Sequence, residues 1–294
     1  MSDPTARMNP PCHREISLPL LRIASVDYLN ALPLVRGLAQ AAIRDGAVVS
    51  GTPARCADLL RAGEVDVALI PSIEYLRIPD LTVLPEMAIA SPRQARSVLL
   101  FSRVAAPEIR SVTLDCSSRT SAALLRILLS RISRHRVEYR ESEPGLPRML
   151  EKADAALLIG DAALKADPGG LKVYDLATEW HARTGLPFVF AFWAARPGVD
   201  QPDMVASFLA SKRAGLAQRS AIAEEAAPRL GLSAQALSRY LYENLSYDLG
   251  AEEIRSLWLF YRLAREAGLV EKVREIKLLP APAEAGEETS GGIL

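Results

Sequence analysis

The feature that most constrains the fold is an alternation of short apolar segments with amphipathic segments. Five short apolar segments, typical of strands, lie in the first part of the chain, at 22–26, 46–51, 65–71, 81–90 and 97–103. Between the early ones lie helical patterns at 31–46 and 53–64. Strands that alternate with helices in this way predict a mainly parallel sheet with helices on its faces.

The alternation then restarts. Strand-like segments follow at 111–115, 137–141, 155–160 and 188–196, with helical patterns at 119–133 and 143–153 between them. After Pro202 the apolar residues are spaced three to four apart in three segments, 204–226, 233–245 and 251–268. This spacing predicts that the last part of the chain is helical.

The two halves of this pattern resemble each other. GEVDVALIP and EKADAALLIG both pass through an aspartate into an apolar strand, while RIASV-DYLN and SVTLD-CSSRTS both pass from a strand through a polar turn into a helix. We therefore predict an α/β fold with two lobes. The expected first lobe comprises 21–104 and 192–279, the second comprises 105–191, and flexible tails are expected at 1–20 and 280–294.

Two such lobes would face each other across a cleft. Ligands of open α/β sheets bind at the carboxyl ends of the strands. The polar turns that follow the strands are therefore the candidate binding residues.

The composition argues against nucleic-acid binding, membrane insertion and metal binding. Lys+Arg and Asp+Glu are equal at 35 each, so the chain lacks the basic excess of a nucleic-acid-binding protein. We find no apolar run of membrane-spanning length and no signal peptide, and we expect a cytoplasmic protein without a membrane partner. The three cysteines are far apart and the three histidines have no cluster partner, so we expect neither a metal nor another cofactor.

DCSSRTS, residues 115–121, is the most informative segment because four hydroxyl groups and one arginine surround a predicted helix start. Free amide groups and the helix dipole attract anions to such a start, and an arginine can bind a carboxylate through two hydrogen bonds. One serine would suffice for a simple helix cap, which is the alternative interpretation. The candidate binding residues here are Ser117, Ser118, Arg119, Thr120 and Ser121.

Other candidate residues lie at the corresponding turns. Tyr28 and Asn30 belong to DYLNALP of the first lobe, and Ser72 follows a buried strand. Gly160 and Asp161 follow the matching strand of the second lobe, and Gly160 would allow a close approach of the backbone. Capping remains an alternative for Asn30, Ser72 and Asp161. Thr184 either lines the cleft or lies in the crossover between lobes.

Taken in this order, these motifs resemble the MqnA family, the chorismate dehydratases of the futalosine route to menaquinone. The resemblance covers about residues 22 to 279 and includes VDYLNALPL, GEVDVALIPSIEYLR, LDCSSRTSAALLRILL, LLIGDAAL, TGLPFVFAFW and YLYENLSYDLG. It implies a fold like the type II periplasmic binding proteins, with chorismate as the small-molecule substrate. It also implies that Asn30 and Ser97 correspond to the family's functional asparagine and serine.

The resemblance implies the conversion of chorismate to 3-[(1-carboxyvinyl)oxy]benzoate and water. The motifs contain no histidine or glutamate in the place of an obvious base, so we expect the substrate's own carboxylate to act as one. The alternatives are a solute-binding protein for a small carboxylate and the related naphthoate-forming enzyme of the same pathway. The sequence leaves the oligomeric state open.

Overall fold

The computed structural model describes residues 21–38, 48–199 and 202–282. Two five-stranded sheets form its framework. The first sheet has the order β2-β1-β3-β10-β4 and the second has the order β7-β6-β8-β5-β9. The strands are β1 (Ile23–Val26), β2 (Val48–Gly51), β3 (Val67–Pro71), β4 (Thr82–Ser91), β5 (Val98–Ser102), β6 (Ser111–Asp115), β7 (Glu138–Ser142), β8 (Ala155–Ile159), β9 (Lys172–Asp175) and β10 (Phe188–Ala195).

Helices pack around both sheets. In chain order they are α1 (Leu32–Val35), α2 (Pro53–Ala62), α3 (Glu74–Arg77), α4 (Thr120–Ile132), α5 (Leu146–Leu150), α6 (Gly160–Lys165), α7 (Leu176–Thr184), α8 (Pro202–Ala217), α9 (Arg219–Leu230), α10 (Ala234–Arg239) and α11 (Ala251–Glu266). Short 3₁₀ turns occupy Leu29–Ala31 and Ala106–Glu108, and a π-helical turn occupies Tyr240–Asn244. No helix in the described ranges is both long enough and apolar enough to cross a membrane.

Both sheets are mixed, whereas the sequence pattern predicted mainly parallel sheets. In each sheet three neighbouring strands are parallel and the remaining two pairings are antiparallel. The cause is the crossover between lobes, because β5 enters the second sheet and β10 returns to the first sheet from the opposite direction. The two-lobed α/β prediction is confirmed.

The structure also shifts the expected lobe boundaries. The prediction assigned 98–104 to the first lobe and 188–191 to the second, but β5 pairs with β8 and β10 pairs with β3. We therefore define the second lobe as 98–184 and the first lobe as the described residues of 21–91 and 188–282. The chain crosses between them at 92–97 and 185–187. The proposed tail at 1–20 and most of the tail at 280–294 lie outside the described residues.

Four further features of the structure differ from the sequence pattern. β9 and α7 were not predicted because KVYD and LATEWHART lack a long apolar periodicity. The predicted helix 204–226 is two helices, α8 and α9, separated at Gln218. The chain after α11 is extended rather than helical and pairs with β4 through Val83 and Leu278.

Strand periodicity explains how the second sheet is buried on both faces. Ala155, Leu157 and Ile159 belong to the main core, while the intervening Ala156 and Leu158 pack into a smaller cluster with Phe101 and Met149. This is the alternation of a strand, in which successive side chains point to opposite faces. A strand buried on both faces reads as a continuous apolar run, as AALLI does.

The C-terminal helix α11 bridges the lobes. Its Phe260 packs edge-to-face on Phe188 of β10 and on Trp180 of α7, with ring centroids 5.1 and 6.3 Å apart. The Trp180 indole also donates a hydrogen bond of 3.1 Å to Ser256 of α11. The aromatic residues of TGLPFVFAFW thus mainly form the core between lobes.

The repeated aspartates have equivalent positions in the two lobes. Asp66 accepts a hydrogen bond from the amide of Arg22, just before β1, at 2.9 Å. Asp154 accepts hydrogen bonds from the amides of Arg110 and Ser111, at the start of β6, also at 2.9 Å. Each aspartate therefore fixes the start of the first strand in its own lobe, which explains the sequence repeat.

We predict that Asp154→Asn reduces stability in a pH-dependent manner. Burial opposes ionisation of Asp154, but the hydrogen bonds from Arg110 and Ser111 outweigh it and lower the pKa below its usual value. A lowered carboxyl pKa gives stability that is present above the pKa of the unfolded chain, about 3.9, and is lost as pH falls through the folded-state value. Urea unfolding should show a loss of ~1 kcal/mol at pH 7 that shrinks toward pH 3.

Glu224→Gln, an exposed change on α9, is the matched control and should leave the free energy of unfolding nearly unchanged. A loss for Asp154→Asn that is equal at both pH values would contradict the assigned role of the carboxylate.

Candidate active site

A cavity of about 480 Å³ lies between the lobes at the carboxyl ends of β1, β3, β6 and β8. This volume includes the open mouth of the cavity. The apolar part of the lining comes from both lobes and comprises Val26, Pro53, Pro71, Ile89, Val98, Ile159, Phe190 and Ala191. The turns after the strands therefore meet at one cavity, as the sequence predicted.

Eight of the residues singled out in the sequence line this cavity. They are Tyr28, Asn30, Ser117, Ser118, Arg119, Thr120, Ser121 and Gly160. The other four, Ser72, Ser97, Asp161 and Thr184, are not in the lining. The side chains of these four residues, and those of Arg119 and Thr120, make hydrogen bonds within the protein, as described below.

The start of α4 has the properties of an anion site. Ser118 is 8% exposed, lines the cavity, and its Oγ has no hydrogen-bond partner among the described residues. No side chain caps the helix at Arg119. The first amides of an α-helix have no partner within the helix, so they remain available to a negatively charged group beside Ser118.

Asn30 faces the same cavity from the first lobe. It lies in the 3₁₀ turn Leu29–Ala31, and its buried Oδ1 has no hydrogen-bond partner in the described part of the chain. An unpaired buried acceptor costs roughly 1–3 kcal/mol. A ligand that supplies a donor to Asn30 would recover this cost.

Tyr28 closes the cavity between the lobes. Its ring lies against Gly160, where an added Cβ would be 2.5 Å from Tyr28 Cδ2. Its hydroxyl donates a hydrogen bond of 3.0 Å to Ser117, whose own hydroxyl donates to Asp115 at 2.6 Å. The proposed close approach at Gly160 is therefore the contact of an aromatic ring from the other lobe.

Burial is the largest influence on the pKa values of Tyr28 and Asp115. It raises the pKa of Tyr28 to about 12, so the phenol is neutral and acts as a hydrogen-bond donor near neutral pH. Burial also raises the pKa of Asp115 above its usual value, although the hydrogen bonds from Ser117 and Ile159 act in the opposite direction.

Arg119 does not point a free guanidinium into the cavity, contrary to the sequence interpretation. Its Nη2 donates to both carboxylate oxygens of Asp58 at 2.8 and 2.9 Å, and its Nη1 donates to Glu74 at 3.0 Å. Both acidic residues belong to the first lobe. The arginine therefore joins the lobes through ion pairs, and it lies at the start of α4, beside the cavity.

Two further hydroxyl groups also join the lobes. Thr120 Oγ1 accepts a hydrogen bond from the amide of Ile73 at 3.2 Å and lies 3.4 Å from Ser72 Oγ. Ser72 is fully buried and donates to the carbonyl of Val189 at 2.8 Å. Ser72 thus makes internal hydrogen bonds and is not a lining residue, whereas Thr120 both contacts the first lobe and lines the cavity.

The carboxylate of Asp161 also accepts hydrogen bonds within the protein. Its Oδ1 accepts a hydrogen bond from the amide of Leu29 at 2.9 Å, and its Oδ2 accepts one from Arg229 at 2.7 Å. Thr184 lies at the end of α7, where its hydroxyl donates to the carbonyl of Trp180 at 2.9 Å. Thr184 therefore ends α7 directly before the crossover, and it is not among the lining residues of the cavity.

Ser97 lies beside the cavity, at the residue before Val98. It is 1% exposed, and its Oγ accepts a hydrogen bond of 2.8 Å from Tyr240 in the π-helical turn. The carbonyl of Ser97 accepts a hydrogen bond of 2.8 Å from the amide of Gly160. A serine that accepts from Tyr240 still has its own proton to donate.

Sequence reasoning missed part of the cavity. Phe190 is half-buried and lines it, although the aromatic run around it is mostly core. Pro53 lines it at the start of α2, after the strand-to-helix turn that follows β2. The signal for Pro53 was the same as for Tyr28 and Asn30, a turn directly after a parallel strand.

The lining offers hydrogen bonds rather than acid–base groups. Among the described lining residues none is aspartate, glutamate or histidine. No group of three or more histidine, cysteine, aspartate or glutamate residues is arranged as a metal site in the ranges that the structure covers. The arrangement can bind and orient an anionic ligand that carries a hydrogen-bond donor.

We predict that Gly160→Ala disrupts the contact between the lobes. The new Cβ would overlap the Tyr28 ring, and φ at this position is +56°, so the ring has to move. We expect a loss of about 1–3 kcal/mol, measured by thermal or urea unfolding. Gly169→Ala is the matched control because its φ is +49° but nothing lies within 4 Å of the new Cβ. Equal losses for both variants would show that the Tyr28 contact is unimportant.

Comparison with known proteins agrees with this geometry. The chain matches the family described as menaquinone biosynthesis over residues 21–266. It is 36% identical over 241 residues to the chorismate dehydratase of Thermus thermophilus, covering 76% of this chain and 87% of that protein. It is 31% identical over 174 residues to the chorismate dehydratase of Campylobacter jejuni, covering 56% of this chain and 63% of that protein.

The fold is that of periplasmic binding proteins. The aliphatic sulphonate binding protein SsuA of Escherichia coli superposes with a TM-score of 0.60 at 15% identity, covering 93% of this chain and 98% of that one. The family match spans most of the chain, including the cavity residues from Tyr28 to Ala191. This chain therefore belongs to the menaquinone biosynthesis family.

Proposed function

We propose that this protein is a chorismate dehydratase that converts chorismate to 3-[(1-carboxyvinyl)oxy]benzoate and water, as the first step of the futalosine route to menaquinone. The relative from Thermus thermophilus, with 36% identity, carries this activity in its name. The structural observation that carries the proposal is a pair of groups in one interlobe cavity, Asn30 Oδ1 and Ser118 Oγ, which have no hydrogen-bond partner among the described residues. Chorismate has two carboxylates and one hydroxyl group, which complement an anion site and an acceptor.

One carboxylate of chorismate is placed at the start of α4. There it can accept hydrogen bonds from Ser118 and from the first amides of the helix, which also carry the positive end of the helix dipole. The apolar side chains Ile89, Val98 and Phe190 lie in the same lining and suit the ring of the substrate.

Asn30 is assigned to the reacting side of the substrate. With both carboxylates ionised, the hydroxyl at C4 is the only donor that chorismate offers to Asn30 Oδ1. The amide nitrogen of Asn30 is a donor and can hold the enolpyruvyl carboxylate. One side chain would thus orient both the leaving group and the base.

The reaction is an elimination in which the enolpyruvyl carboxylate acts as the base. It removes the proton at C3, the electrons of that bond form the new C3–C4 double bond, and the C4–O bond breaks. The same carboxyl group returns the proton to the departing hydroxide, so that water leaves and the ring becomes aromatic. The protein then supplies positioning and charge stabilisation, in agreement with a lining of hydrogen-bond donors.

Ser97 is assigned a supporting catalytic role. Because Tyr240 donates to Ser97 Oγ, the serine proton is directed away from Tyr240. That proton would be donated to a substrate carboxylate bound beside Val98, the neighbouring residue, which lines the cavity.

The direct test is incubation of the purified protein with chorismate, without added metal or nucleotide, followed by chromatography with mass detection. We expect a product lighter by one water with a benzoate spectrum. Unchanged chorismate that nevertheless raises the melting temperature would favour a binding protein. No binding and no turnover would favour the naphthoate-forming enzyme or another substrate.

We predict that Asn30→Leu lowers kcat/KM by roughly 10²–10³, because the change removes a donor and an acceptor from the reacting atoms while it keeps the branched shape of the side chain. Asn244→Leu is the matched control, since Asn244 is not a lining residue and its amide donates to the carbonyl of Gln94 at an exposed position. Full turnover by Asn30→Leu would refute the assignment of Asn30.

We predict that Ser97→Ala lowers kcat by on the order of tenfold, measured in the same assay. The control is Ser91→Ala, because Ser91 is equally buried, its hydroxyl has no partner among the described residues, and it lies outside the lining. If both variants lost the same activity, packing rather than a hydrogen bond to the substrate would explain the effect.

A further inference from the structure

We propose that Arg119 is a positioning residue that latches the two lobes together, and that it is not a ligand of the substrate. The proposal starts from its contacts. Within the described residues its side chain donates three hydrogen bonds, all to carboxylates of the first lobe, two to Asp58 on α2 and one to Glu74 on α3. The side chain of Arg119 is 23% exposed, so much of this contact is sheltered from water.

Glu74 makes the latch specific. It is 1% exposed, and a buried carboxylate has to be paired with positive charge. Arg61 and Arg77 of the first lobe both pair with it, and Arg119 is the third partner, contributed by the second lobe. A buried acidic group at the surface between lobes thus attracts a cation from across the cleft.

The arrangement of charges also makes the latch reversible. When the lobes separate, Glu74 keeps Arg61 and Arg77, and Asp58 keeps Arg61, with which it pairs at 2.7 Å. Neither carboxylate is left unpaired in the open form, and the Arg119 guanidinium moves into water. Opening therefore avoids the large cost of a buried unpaired charge.

The latch is coupled to the cavity through its place in the chain. Arg119 is the cap residue of α4 and lies directly between Ser118 and Thr120. When its guanidinium contacts Asp58 and Glu74, the start of α4 is held against the first lobe, where Asn30 lies. The latch would thus place the anion site and Asn30 on opposite sides of one substrate.

Hydrogen exchange measures the latch without any substrate. The amides of Leu29 and Ile73 donate to Asp161 and Thr120 of the other lobe, so they exchange when the lobes part. In Arg119→Met we expect exchange at both amides to be on the order of tenfold faster than in the unchanged protein. Asp58→Asn weakens the Arg119–Asp58 ion pair from the first lobe, where Asp58 is half-exposed. It should also make exchange at the amides of Leu29 and Ile73 faster.

The control is Arg126→Met. Arg126 is on the same helix, but its guanidinium lies 4.0 Å from the centre of the Tyr139 ring, inside the second lobe. It should leave exchange at Leu29 and Ile73 unchanged. Unchanged exchange in Arg119→Met, or equal acceleration in Arg126→Met, would overturn the latch.

Kinetics with chorismate, which rest on the proposed function, add a second test. A latch that favours the closed form raises KM when it is lost, on the order of tenfold, while kcat of the bound complex falls much less. A raised KM with unchanged exchange would instead mean that Arg119 binds the substrate and would refute the latch. If the unchanged protein does not convert chorismate, the proposed function fails and the exchange experiment still decides the role of Arg119.

Discussion

The structure depends on the requirement that a buried N–H group be paired. The turns after β1 and β3 leave the amides of Leu29 and Ile73 without partners in their own lobe, and Asp161 and Thr120 of the second lobe accept them. Each turn that would bind a ligand is thus also a turn that recognises the opposite lobe. Because the same short segments serve both purposes, the cavity exists only where the lobes meet.

The resemblance between the lobes follows from a shared physical task. In each lobe an aspartate before a buried strand fixes the start of the neighbouring first strand, and a polar turn then leads into a helix. Periodicity and turn residues were therefore enough to predict two lobes, nine of the ten strands and the end of the sheets at which the cavity lies. The antiparallel strands could not be predicted, because apolar runs such as VLLFS and FVFAFWAA carry no sign of their direction.

The sequence indicates where the candidate site lies better than it indicates what each residue of the site does. Hydroxyl groups around a helix start predict an anion site, and Ser118 remains its candidate because its Oγ has no hydrogen-bond partner among the described residues. The roles of Arg119 and Asp161 depend on partners at least 45 residues away in the chain, which local patterns do not reveal. A charged residue beside a binding turn is equally suited to a ligand and to the facing lobe, and only the packing of the lobes distinguishes the two.

The position of β10 has a consequence for the order in which the chain folds. The second sheet is complete once Asp175 has been synthesised, because all of its strands lie within 98–175. The first sheet lacks its fourth strand until β10 inserts between β3 and β4, and until then both present unpaired edges. During vectorial synthesis the second sheet can therefore form before the first. The candidate cavity, whose lining includes Phe190 and Ala191 of β10, needs this late strand before its wall is complete.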